Sequence, residues 1–142
     1  MKESGMKKEF RISTDLLKVQ DASSEVLKFL KPLVSSDPLL FDVRLCLEEA
    51  LINAMKYGNG LDRNKMVTMN VEFRREAVLI SVEDQGEGFK PDTLRDCTEE
   101  ENLLKSSGRG VHLMRRLMDK VEYNAKGNCV LMVKYLNKRS DI

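Results

Sequence analysis

The sequence has no tryptophan, one histidine, three prolines and three cysteines among 142 residues. A zinc site built from several histidines is therefore excluded. The cysteines are Cys46, Cys97 and Cys129, an odd number at wide spacings with no C-x-x-C pair. That pattern argues against a disulfide framework or a structural zinc and for reduced thiols. No apolar run approaches the ~18 residues that a membrane span needs. The opening Met1-Lys2-Glu3-Ser4-Gly5 leads into polar residues, not into the apolar stretch of a secretory signal. A soluble, cytoplasmic protein is expected, with no membrane partner. A charge of one sign is also missing, since 24 Lys and Arg face 23 Asp and Glu. Direct nucleic-acid binding by a strongly basic face is therefore not expected. What is present is 42% hydrophobic and 33% charged residues. This is enough for one core and too apolar for a disordered chain, so residues 1–142 are read as a single domain.

Hydrophobic spacing gives the order of elements. Phe10 and Ile12 alternate with Arg11 and Ser13, which predicts a short first strand. Leu16, Val19, Val26, Leu27, Leu30 and Val34 suit a helix, restarted at Ser23 or Ser24 and ended by Ser35-Ser36-Asp37-Pro38. Pro38 opens the next helix with Asp37 as its expected N-cap. At ~100° per residue, Leu40, Val43, Leu47, Ala50, Leu51 and Ala54 share one face that should bury. Gly58-Asn59-Gly60 should end that helix. Val67, Met69, Val71 and Phe73, then Val78, Ile80 and Val82, read as two strands joined tightly at Arg75-Glu76. Residues 85 to 107 have no clean period. A loop of roughly twenty residues in a compact domain is uncommon, and its usual use is a lid or binding loop. A helix is expected from about Gly110 to Asp119. Two strands follow, Val121 to Tyr123 and Val130 to Leu136, around a turn at Lys126-Gly127-Asn128. This order predicts an α+β, two-layer sandwich: a mixed, mostly antiparallel sheet covered on one face by helices.

Three constellations are hard to explain by packing alone. Glu49 and Asn53 stand at i and i+4, so they point to the same place, away from the buried stripe. Such a carboxylate can serve as a general base, and the amide oxygen as a Mg²⁺ ligand. Glu48 points roughly 100° away and is the weaker candidate. Taken alone, this pair also fits a solvated helix face. In Asp84-Gln85-Gly86-Glu87-Gly88, Asp84 keeps the parity of Val78, Ile80 and Val82, so it continues a buried strand face. A carboxylate there needs a donor, and the amino group of a nucleotide base would serve. The competing reading is a plain turn at a strand end. Ser106-Ser107-Gly108-Arg109-Gly110 precedes an apolar helix, where free N–H groups and the helix dipole favour phosphate. Its competing reading is a flexible linker. The P-loop and Rossmann spacings are both absent.

In order and spacing the three segments resemble the Bergerat-fold (GHKL) ATPases. Glu49 to Asn53 looks like the N box, Asp84-x-Gly86-x-Gly88 like the first glycine box and Gly108-x-Gly110 like the second. The lid would span about 91–107 and the core about 8–137. More narrowly, Glu99 to Leu104 and Ser107 to Asp119 resemble the anti-sigma-factor serine kinases of the RsbW type. The resemblance implies ATP and Mg²⁺ as cofactors. It makes Glu49 the base that activates the attacking hydroxyl and Asn53 the Mg²⁺ ligand. Asp84 would accept from the adenine amino group, and Gly86 and Gly88 would shape the adenine pocket. Ser107, Gly108, Arg109 and Gly110 would hold the phosphates under the closed lid. It implies as partners an anti-anti-sigma (STAS-type) protein, which would be phosphorylated, and a sigma factor, which would be bound. It also suggests a homodimer. One departure is Tyr57-Gly58, where the family often has His-Gly. His112 reads as a packing or surface residue.

The leading expectation is thus an ATP-dependent protein serine kinase that also sequesters a sigma factor. The alternative is an ATP-binding module that holds a partner without phosphoryl transfer. A two-component histidine kinase is disfavoured, because His112 lies in the second glycine segment and leaves no phosphoacceptor histidine. A gyrase- or MutL-like role would need a further transducer domain.

Overall fold

The computed structural model describes residues 5–86 and 106–136, with side chains from Gly110 onward in the second stretch. Strand β1 is Met6–Ser13, followed by a 3₁₀ turn at Leu16–Lys18 whose first N–H groups are capped by Asp15, with Oδ1 accepting from the Leu17 N–H at 3.0 Å. Helix α1 is Val19–Leu30 and helix α2 is Asp37–Asn53. A π-helical turn, Ala54–Gly58, continues α2. Strands β2 (Met66–Arg74) and β3 (Ala77–Glu83) form a hairpin. Helix α3 (Ser106–Leu117) leads to strands β4 (Lys120–Tyr123) and β5 (Cys129–Tyr135).

The five strands form one sheet in the order β1-β2-β3-β5-β4. All four pairings are antiparallel, the limiting case of the expected mostly antiparallel sheet. The β2–β3 turn is the predicted Arg75-Glu76, both at positive φ (55° and 60°). Two left-handed residues match the twist of the flanking strands, which is why so short a link closes without glycine. Period-2 alternation then sends Val67, Met69, Val71, Val78, Ile80, Val82, Val130 and Met132 to the helix side, where all are buried. Leu30, Val43, Leu47, Leu51 and Met114 meet them from the helices. Each such side chain contributes roughly 1.5–3 kcal/mol of transfer free energy.

Helix α2 is the central helix, touching α1 on one side and α3 on the other. The whole predicted stripe, Leu40, Val43, Leu47, Ala50, Leu51 and Ala54, is buried, and so are Cys46 and Asn53 on its flank. Four local expectations are corrected. The N-cap of α2 is Ser36, whose Oγ accepts from the Leu39 N–H at 3.3 Å, and Asp37 is already the first helical residue. Helix α1 runs through Ser23 without a restart, because Ser23 turns inward and bonds Gln20 O and Glu48. It ends at Leu30, although Val34 is still buried as the next turn closes on Leu30 O. Helix α3 begins at Ser106 and ends at Leu117, four residues before the expected start, so Gly110 is its fifth residue.

Candidate functional site

The site is built on the C-terminal half of α2. Ala50, Leu51 and Ala54 bury one side of the helix and fix its rotation, so Glu49 and Asn53 emerge toward α3. The expectation that this pair lies off the buried stripe holds for half-buried Glu49 and fails for Asn53. Asn53 is only 4% exposed, because α3 packs over it. Its Nδ2 is the one buried side-chain nitrogen or oxygen without a hydrogen-bond partner among the described residues. An unsatisfied buried amide costs ~1–3 kcal/mol, so such a group points to a missing partner. A half-turn of the amide presents its oxygen at the same place. Gly110 closes the pair from the other side. A Cβ at that position would lie 2.6 Å from Glu49 Oε1 and 3.4 Å from Asn53 Nδ2. Glycine is required there for close approach, and not for an unusual φ. Glu48 has a different use. Its Oε2 accepts from Ser23 Oγ at 2.5 Å and from Arg44 Nε at 3.0 Å, which pins α1 to α2.

Asp84 enters from β3. Strand parity carries it to the helix side, and it is 4% exposed. Its N–H donates to Asn128 O at 2.9 Å, and its carbonyl accepts from Asn128 Nδ2 at 3.1 Å. Its Oδ1 accepts from the Gly86 N–H at 2.8 Å. The donor expected from desolvation arguments is thus supplied in part by the D-x-G turn itself. Burial nevertheless pushes the Asp84 carboxyl above its ordinary pKa, with the Gly86 bond opposing the rise. A further donor from a ligand would stabilise its charged form. Gly58 and Gly86 make room for this group. A Cβ on Gly58 would overlap the Asp84 carboxylate, and one on Gly86 would overlap the Gly58 carbonyl oxygen.

Asn53 and Asp84 line one cleft, whose walls include Ala50, Ala54, Val82, Tyr123, Cys129 and Val130. The cleft is narrow as it stands, about 10 Å³ and room for little more than one water, so a ring bound between Asn53 and Asp84 must part its walls. Burial raises the Tyr123 phenol to about 12, so it stays neutral across the physiological range. A larger hollow of about 540 Å³, lined by Lys7, Asn70, Ser81 and Leu131 among others, lies on the sheet face away from the helices and touches none of these groups.

Not every expected residue can be placed. Gly88 and, of the lid expected over about 91–107, residues 91–105 lie outside the described residues, as does Cys97; residues 106 and 107 are not lid but already helix α3. Ser107, Gly108 and Arg109 fall in the first turn of α3, where the N–H groups lack intrahelical acceptors and can meet an anion. Gly110 sits beyond that turn and acts through its missing side chain. Gly58, Asn59 and Gln85 were not among the expected site residues. In the sequence Gly58 and Asn59 read as a helix stop. The signal that could have found them is the pairing of two glycine-bearing turns, each following an element that carries a candidate side chain.

The histidine kinase-like ATPase domain model matches residues 12–134. The chain belongs to that family. Within it, the chain is similar to the anti-sigma F factor of Clostridium perfringens, 28% identical over 82% of this chain and 86% of the relative. It is also similar to the serine-protein kinase RsbW of Bacillus subtilis, 31% identical over 68% of this chain and 64% of the relative. A shorter match, 35% identical over 48% of this chain, covers 10% of the chemotaxis protein CheA of Halobacterium salinarum. The open antiparallel sheet with helices on one side is the expected architecture of a histidine kinase-like ATPase domain. Tyr57, in the π turn after α2, is half-exposed, and its ring lies 5.7 Å from Lys56 Nζ.

Proposed function

We propose that this chain, as one domain over residues 1–142, is an ATP-dependent protein serine kinase and anti-sigma factor. It phosphorylates an anti-anti-sigma (STAS-type) protein and binds a sigma factor. The supporting observation is the meeting of Glu49, Gly110 and Asn53, whose Nδ2 has no partner among the described residues, in one place, in a chain whose relatives carry the names anti-sigma F factor and serine-protein kinase RsbW.

The residues fit a magnesium nucleotide. Asp84, which lines the cleft with Asn53, would accept from the adenine amino group, and Gly86, together with Gly88 as the resemblance implies, would give the ring room. Asn53 offers the hard oxygen that Mg²⁺ takes alongside phosphate oxygens and water. Ser107, Gly108 and Arg109 meet the phosphates at the start of α3, and Gly110 lets the helix approach α2. Bound Mg-ATP supplies the phosphoryl group for transfer. Glu49 takes the proton of the incoming serine hydroxyl as its oxygen attacks. Positioning and charge neutralisation carry most of such a reaction, so few side chains suffice. Among the described residues no helix is long and apolar enough to cross a membrane. A cytoplasmic homodimer that does not touch nucleic acid is the form we assign.

The test is transfer of label from γ-labelled Mg-ATP to a serine of a STAS-type partner. Label that appears with the parent and falls ~10²–10⁴-fold in Glu49→Ala, with ATP binding retained, supports the kinase. ATP binding with no transfer to any such partner would leave only a sequestering module. Loss of ATP binding in Glu49→Ala would refute the role given to that carboxylate.

A further inference from the structure

Two turns frame the base end of the cleft, the π turn after α2 and the D-x-G turn after β3. Asn59 ties them together. It is 2% exposed, and its amide bonds three separate segments. Oδ1 accepts from the Gln85 N–H at 2.8 Å. Nδ2 donates to Thr14 Oγ1 at 2.8 Å and to Met66 O at 3.1 Å. Its own N–H donates to Ala54 O at 2.8 Å, which closes the π turn. An amide with both hydrogens and its oxygen committed has a single orientation.

We propose that Asn59 is a positioning residue for base recognition: by holding the Gln85 N–H it sets the direction of the Asp84 carboxylate. The inference rests on the reading of Asp84 as the adenine acceptor. Asp84 has three ties, and the two to Asn128 fix only its backbone. The third, from Gly86 N–H to Oδ1, orients the carboxylate. Gly86 follows Gln85, and Gln85 is held by Asn59 Oδ1 and by its own Oε1 accepting from the Met66 N–H at 2.6 Å. Of these two bonds, only the one to Asn59 connects to the π turn, where a Cβ on Gly58 would overlap the same carboxylate. Without it the Asp84–Gln85 peptide is held only at its carbonyl, by Asn128 Nδ2, and can rock about that bond; the Gly86 N–H then shifts from Oδ1, and the acceptor loses its fixed aim. Affinity for any ligand then falls somewhat. The sharper loss is in discrimination between a 6-amino and a 6-oxo purine, which needs the acceptor at one angle.

The experiment measures Kd by calorimetry for ATP and for inosine triphosphate, which carries a 6-oxo group. It uses the parent, Asn59→Ser, Asn59→Ala, Thr14→Val and Asp84→Asn, with folding checked by circular dichroism. Thr14→Val removes one acceptor of the Asn59 amide but leaves the Asn59–Gln85 bond, so it lowers stability in the same network. The parent should prefer ATP, and Asp84→Asn should lose that preference. Folded Asn59→Ser or Asn59→Ala should lose about tenfold of the ratio, the equivalent of one well-made hydrogen bond. Thr14→Val should keep the ratio. An unchanged ratio in the Asn59 variants, or an equal loss in Thr14→Val, overturns the proposal. Failure of both Asn59 variants to fold assigns the residue to the core and also overturns it. An unchanged ratio in Asp84→Asn overturns the underlying reading of Asp84, and this inference with it.

Discussion

Gly110→Ala is the perturbation that separates geometry from stability at this site. Its added Cβ would stand 2.6 Å from Glu49 Oε1, against an ordinary separation of about 3.4 Å. Glu49 must therefore retreat by about 0.8 Å, or α3 must tilt away from α2. The carboxylate is the far end of a flexible side chain, so it gives way first. The fold should not suffer, since an alanine inside a helix is favoured over glycine by ~0.8–1.0 kcal/mol. A gain of that size raises the melting temperature by about 2–4 °C in a chain of this length. Chemistry should suffer, because a misplacement of about 1 Å at a reacting group can cost ~10²-fold in rate. ATP affinity should stay within about threefold, as Glu49 acts after binding. The assay is single-turnover transfer of label to the partner serine, run beside a thermal melt and a nucleotide titration. A variant that transfers label at the parent rate would refute the claim that Gly110 sets the position of Glu49. So would a lower melting temperature, which would show that α3 and not the side chain had moved.

Four further expectations concern Asp84, Asn53 and the α2 cap. Asp84→Asn should weaken ATP binding roughly 10- to 100-fold in calorimetry, the loss of a hydrogen bond to a charged acceptor. The same variant should melt higher than the parent at pH 7. Burial raises the Asp84 pKa in the folded state, so its ionisation costs stability as pH rises through the folded value, and asparagine has no such cost. The advantage should shrink as pH falls toward 3.8, the ordinary value for the group, and a pH-independent difference would refute this account. Asn53→Ala removes an amide whose Nδ2 has no partner among the described residues, so urea unfolding should shift little, while the gain in ATP affinity on adding Mg²⁺ should vanish. Retained Mg²⁺ dependence would exclude Asn53 as the ligand. Ser36→Ala should cost about 1 kcal/mol in the same unfolding assay through loss of the α2 cap. Asp37→Ala should cost less, because only its favourable position in the first turn is lost. The reverse order would restore Asp37 as the cap.

Much of the fold was legible because its signals are periodic and local. Val67, Met69 and Val71 alternate strictly, and strict alternation has only one half-buried solution. The stripe from Leu40 to Ala54 has only one helical face. Strand parity alone also put Asp84 on the buried side. Boundaries were less legible, because they depend on which group reaches the end of the helix. Ser36 and Asp37 are both good caps, and only the direction of the entering chain decides between them. The start of α3 at Ser106 was hidden by two glycines of a type that usually ends helices, of which Gly110 is accommodated against Glu49 of α2.

The order of elements, the side of the sheet that buries, and the residue types able to handle a magnesium nucleotide were all determined by the sequence, through spacings within about eight residues. The burial of Asn53, the contact of Gly110 with Glu49, and the clasp of Asn59 on Gln85 were decided by tertiary structure alone. These join residues 26 to 61 positions apart, and no local period encodes a meeting between helices and turns whose separation is set by the packing of side chains elsewhere.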